Sequence, residues 1–210
     1  MDVEADEQVR IDELLAAWMG DYLAREHPDM PRPGTVCPFV KPALEARSIR
    51  IRGIPTAHGC PHELALDAAR RGLTSFARGE EGTGAGMLRS LVLAFPDLVG
   101  RGEVIDAVHA VVKDEAVRSG LMIGQFHEAC EEPSARNPDF PVNRAPLPLL
   151  VIRSMTVHDI LFLHGDRRWF GIYAERFGHL FADGHRVEPA FRELYDGARS
   201  RFSAPAMPMP

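Results

Sequence analysis

The chain has 210 residues, of which 45% are hydrophobic and 26% charged, and its net charge is −6. That size suits one compact domain with a sizeable core, and the acidic balance argues against a nucleic-acid surface, which needs a basic field. No apolar stretch reaches the length of a membrane span, and the acidic start from Met1 to Glu7 lacks the parts of a signal peptide, so a soluble, cytoplasmic protein with no membrane contact is expected.

The first element is an amphipathic helix over 8–25, because Ile11, Leu14, Leu15, Trp18 and Tyr22 repeat with helical spacing. It ends before His27-Pro28, since a residue preceding proline is pushed out of helical geometry. Pro28, Pro31, Pro33 and Gly34 then carry the chain extended into Cys37-Pro38-Phe39, with a short helix at 42–46. Ser48 to Arg52 alternates apolar and charged residues, as a strand with one wet face does. Pro61 stands at the favoured first position of a second helix that runs to about Ala77, and the glycine-rich stretch from Gly79 to Gly86 breaks the chain.

Ser90 to Phe95 is an unbroken apolar run and reads as a central strand. A third helix spans 102–118, with Val104, Ile105, Val108, Val111 and Val112 on one side and Gly120 as its stop. Leu121 to His127 reads as a strand, followed by a long proline-containing loop over 128–147, a length usually reserved for function or motion. Leu149 to Arg153 is the fourth strand. Thr156 and Asp159 have capping-box spacing at the head of a helix through Leu163, and helices follow over about 167–181 and 187–201. The expected fold is α+β, about four mostly antiparallel strands covered by five or six helices, in one domain over 1–203 with a disordered tail at 204–210.

Three cysteines, an odd number, fit reduced thiols better than a disulfide framework. Cys37 is a candidate thiolate ligand for iron, with Phe39 placed to shield its sulfur from water; a buried free thiol is the plain alternative. His58, Cys60 and His62 could join Cys37 around zinc, which takes four nitrogen or sulfur ligands, although the helix start at Pro61 keeps the two histidines off a common face. His127, at a strand end, is placed to point into a cavity as a metal ligand or an acid–base group. Arg50, Arg52 and Arg153 lie in strands, where guanidinium forks would suit haem propionates or a substrate carboxylate; for Arg50 and Arg52 a solvated strand face is the alternative. Acidic residues Glu128, Glu131, Glu132 and Asp139 in the long loop could face a cationic substrate. There is no phosphate loop, dinucleotide fingerprint or nucleophile elbow.

In the order of these features, residues 35–155 resemble the YqcI/YcgG family, which includes haem-dependent N-hydroxylases of guanidino compounds. The matching segments are Cys37-Pro38-Phe39, Ile49 to Arg52, Leu91 to Phe95, Phe126, Asn137-Pro138-Asp139-Phe140, Arg144 and Leu149 to Arg153. The chain departs from the family in His109 to Gly120, which has no tryptophan, and in Gly124-Gln125-Phe126-His127. The resemblance implies a haem-dependent oxygenase that hydroxylates an amino or guanidino group of a small amino-acid-like substrate. In it Cys37 is the proximal ligand, and His127 faces the substrate or is itself the axial ligand. Arg50, Arg52 or Arg153 holds carboxylates, and an external donor supplies electrons. Two other readings stand beside it: a zinc-stabilised partner-binding module, and a plain α+β domain whose helices over 156–201 form a homodimer.

Overall fold

Buried side chains spaced four apart, Ile11, Leu15, Met19 and Leu23, seat the first helix of the computed structural model, which describes residues 3–81, 86–135, 137–182 and 186–203. Helix α1 (Val3–Trp18) continues into one π-helical turn, Met19–Leu23, closed by the Ala24 amide on the Met19 carbonyl at 2.8 Å. Leu14 is exposed rather than part of the buried stripe. The tail at 204–210 and residues 82–85 of the glycine-rich break lie outside the described residues.

The next elements follow the sequence pattern closely. They are α2 (Val40–Glu45), β1 (Ile49–Gly53), α3 (Pro61–Ala77), β2 (Ser90–Ala94), α4 (Gly102–Arg118) and β3 (Leu121–Phe126). The long loop holds two short strands that were not expected, β4 (Pro133–Ser134) and β5 (Asn137–Pro141), paired antiparallel. Prolines obscured them, since they mark strand edges and turns alike. Strand β6 (Leu149–Ser154) completes a four-stranded sheet of order β1-β2-β6-β3.

The α+β class and the mostly antiparallel pairing stand. Strand β6 runs antiparallel to both β2 and β3, while β1 and β2 are parallel. The parallel pair follows from α3: a 17-residue crossover returns the chain to start β2 in the same direction. Strands β1, β2 and β3 therefore all point one way, with the reversed β6 set between the last two.

Strand alternation divides the core of this unit in two. Leu91, Leu93, Leu121, Ile123, Leu150 and Ile152 pack with Ala69, Phe76, Ile105, Val108 and Val112 of α3 and α4. Val92, Ala94, Leu149, Ile49 and Ile51 pack on the other side with Ile11, Leu15, Met19 and Leu23. Each of the larger side chains among these contributes about 1.5–3 kcal/mol on leaving water, so the sheet is fastened by two separate apolar layers.

Two compact units divide the chain, Met1–Ser154 and Met155–Pro210. The second opens with the expected capping box: the Thr156 amide donates to the Asp159 carboxylate at 2.7 Å, and the Asp159 amide donates in return to the Thr156 hydroxyl. Its helices are α5 (Ile160–Leu163), α6 (Arg167–Phe177) and α7 (Pro189–Ser203). The core of this unit is largely aromatic, with Phe181 stacked on Tyr195 at 4.1 Å and Tyr173 donating to the Val157 carbonyl at 2.7 Å. Burial pushes the Tyr173 hydroxyl well above its usual range, helped by the charge of Asp159.

Candidate functional sites on opposite faces of the sheet

His127 is the residue just past β3, and its backbone is pinned on both sides. Its amide donates to the Asn143 carbonyl at 3.3 Å, and its carbonyl accepts from Cys130 and Ala145, each at 3.2 Å. The tight turn from His127 to Cys130 brings the thiol beside the imidazole. Continuing the alternation of Leu121, Ile123 and Gln125, the ring turns toward α4, where Nε2 lies 3.2 Å from both carboxylate oxygens of Asp106. His127 is 5% exposed, and its Nδ1 is buried with no hydrogen-bond partner. That nitrogen rests on Gly102, in the first turn of α4, where any Cβ would collide with the ring. An unpartnered buried nitrogen costs about 1–3 kcal/mol, so its presence asks for a reason.

Cys130 is almost fully buried, whereas the Asp106 side chain is half-exposed. One donor atom from each of Asp106, His127 and Cys130 lies within 4.8 Å of the others; among the described residues this is the single group of three potential ligands that close. Burial pushes the Cys130 thiol above its ordinary range. A backbone hydrogen bond at Glu132 and the charge of Arg144 pull against that, while the charges of Asp106 and Glu132 add to it. A thiol so placed is a poor free nucleophile. One turn along α4, His109 meets the Ile123 carbonyl through Nε2 at 3.1 Å. Burial, with Lys113 nearby, lowers its pKa to about 4 and keeps that ring neutral.

Cys37 lies on the other face. It is half-buried against the apolar layer under α1, in company with Trp18, Tyr22, Val40 and Phe126. Its amide donates to the Leu23 carbonyl at 2.9 Å, and its carbonyl accepts from the Thr35 hydroxyl at 3.0 Å. Aromatic rings crowd this layer: Trp18 meets Phe126 edge-on at 5.8 Å, and His27 stacks on Phe140 at 4.5 Å. Arg153 shares this face, its guanidinium carbon 5.8 Å from the centre of the Phe39 ring.

The structure thus brings Cys37, Phe39 and Arg153 to one face and His127 to the other, so Cys37 and His127 do not converge. Arg50 and Arg52 alternate away from Ile49 and Ile51, onto the α3 side, and both are exposed. Arg52 is engaged there by the buried Glu81 carboxylate at 2.7 Å. His58 and Cys60 are exposed on the loop into α3, and His62 is partly buried. Neither they nor Cys37 belong to the close group of ligands.

Asp106 and Cys130 were missed from sequence. Cys130 stands three residues after His127, a spacing that one turn closes, so His-x-x-Cys was a readable signal. Asp106 meets His127 only through the packing of α4 on β3 and left no local trace. No curated protein and no solved structure matches the chain. Residues 12–188 match the family model described as a domain of unknown function (DUF6875), and the chain belongs to that family.

Proposed function

We propose that the chain is a haem-dependent oxygenase that hydroxylates an amino or guanidino nitrogen of a small amino-acid-like substrate, with Cys37 as thiolate ligand. Support comes above all from the setting of Cys37: a half-buried sulfur on an apolar and aromatic layer, with Phe39 following it and Arg153 beside that ring. The resemblance of residues 35–155 to N-hydroxylases supports the same reading. Bound haem would supply the iron that activates oxygen, and an external donor would supply electrons.

The residues of the chain have distinct tasks in this reading. Cys37 donates electron density through its sulfur. Phe39 and the rings of Trp18 and Phe126 limit water near it. Arg153 offers a guanidinium fork to a carboxylate of haem or substrate. His127, on the opposite face, takes no part.

An absorption spectrum of the purified chain reconstituted with haem tests this. A Soret band whose reduced, carbon-monoxide-bound form reports thiolate ligation, and which shifts or vanishes in Cys37→Ala, is the expected result. A chain that stays colourless with haem, or a Soret band untouched by the Cys37 substitution, overturns it.

A further inference from the structure

On the face opposite Cys37, we propose that Asp106, His127 and Cys130 form a binding site for one divalent metal ion of the zinc class. The three residues come from two places that the fold fixes independently. Asp106 stands one turn inside α4, and His127 and Cys130 stand at the two ends of the tight turn after β3. A carboxylate oxygen, an imidazole nitrogen and a thiol sulfur lie within 4.8 Å of one another.

Metal bonds of about 2.0–2.3 Å place tetrahedral ligands roughly 3.2–3.8 Å apart. The His127–Asp106 distance of 3.2 Å already meets that, and Cys130 needs only to draw its sulfur inward. The donor set selects among metals. Thiolate and imidazole favour zinc over magnesium or calcium, which take all-oxygen shells. Charge also balances, because a carboxylate and a thiolate neutralise a divalent cation, which suits a site with two buried ligands.

The other ring nitrogen of His127, Nδ1, is buried on Gly102 and has no partner, so it sets how firmly the imidazole is held rather than marking the ion's place. With Nε2 given to the metal, the ring proton moves to Nδ1, and the Cys130 thiol loses its proton to solvent, so one proton leaves per metal bound. Nδ1–H then lacks the outer partner that usually firms a metal-bound histidine, and binding is about 10–100-fold weaker than in a fully supported site. Three protein ligands leave a fourth position open, on the side where Asp106 is half-exposed. That is the arrangement of a working site rather than a structural one.

Titration of the full-length chain with cobalt(II), then displacement by zinc, tests the proposal without any substrate. One equivalent of cobalt should give a near-ultraviolet thiolate-to-cobalt band and intense visible bands of tetrahedral geometry, both erased by zinc. Cys130→Ser should remove the near-ultraviolet band. Asp106→Asn, at a half-exposed position that the fold tolerates, should weaken binding at least about tenfold. Cys60→Ser, at an exposed thiol outside the site, should leave the spectrum unchanged. The proposal is overturned by absence of a stoichiometric thiolate band, by its loss in Cys60→Ser, or by wild-type titration of Asp106→Asn. Read as the difference between the chain with and without cobalt, these outcomes are separate from haem binding at Cys37.

Discussion

The imidazole of His127 lies flat against the α-carbon of Gly102, closer than any side chain at that position would allow. Gly102 is a buried residue in the first turn of α4, four residues before Asp106, so one helix supplies both the floor and the hydrogen-bond partner of the ring. Gly102→Ala should expel the imidazole and break its contact with Asp106. The expected destabilisation is about 1–3 kcal/mol, the usual cost of overpacking, even though alanine is the better helix former. Urea denaturation of the two proteins measures it, and an unchanged midpoint would refute the packing.

Protonation of His109 should make stability fall in acid. Its folded pKa, about 4, lies below its ordinary 6.5 because of burial. The unfolded chain therefore binds the proton more tightly, and acid favours unfolding. Stability from this group is whole above pH 6.5 and declines as the pH drops toward 4, by roughly 2 kcal/mol at pH 5. His109→Gln should flatten that part of the profile in denaturation curves taken between pH 7 and pH 5.

Arg52 is half-exposed, but its carboxylate partner is not: Glu81 is 2% exposed and also accepts from the Ser75 hydroxyl at 2.8 Å. Removing the arginine strands a buried charge. Arg52→Ala should therefore cost about 1–2 kcal/mol, below the range for a wholly buried pair because one partner sees water. Arg50→Ala, two residues away on the same exposed side of β1, should change the urea midpoint little. Equal effects of the two substitutions would count against the pairing.

In the second unit, the Thr156–Asp159 capping box satisfies two backbone groups at the head of its first helix. Asp159 is fully buried, so Asp159→Ala loses both the cap and a buried acceptor. Thermal unfolding followed by circular dichroism should show a loss of about 1–2 kcal/mol. Thr156→Ser, which keeps the hydroxyl, should show almost none.

Local chemistry made most of this fold legible. Pro61 and the helical spacing of Ala65, Ala69, Leu73 and Phe76 placed α3 from Pro61 to about Ala77, and the apolar runs at 90–95 and 149–153 marked strands within a residue of their ends. The parallel direction of β1 and β2 was legible in the helix between them, since a strand–helix–strand order is the mark of a crossover. The hairpin in the long loop was not, because its prolines resemble a turn. The candidate sites were legible only in part. Cys37, Phe39 and Arg153 do share a face, but the partner of His127 is Asp106, brought there by helix packing. Parity along β3 could have shown that His127 faces away from Val92 and Leu149.

Set between β2 and β3, strand β6 is the last of the four strands to leave the ribosome. Until Leu149–Ser154 emerges, β2 and β3 each present a bare hydrogen-bonding edge to one another across an empty slot. A nascent chain stopped near residue 145 would hold two sticky apolar edges at once, the condition under which chains pair with copies of themselves. The inserted strand is thus the keystone of the sheet: without it β3 has no strand neighbour and β2 keeps only β1.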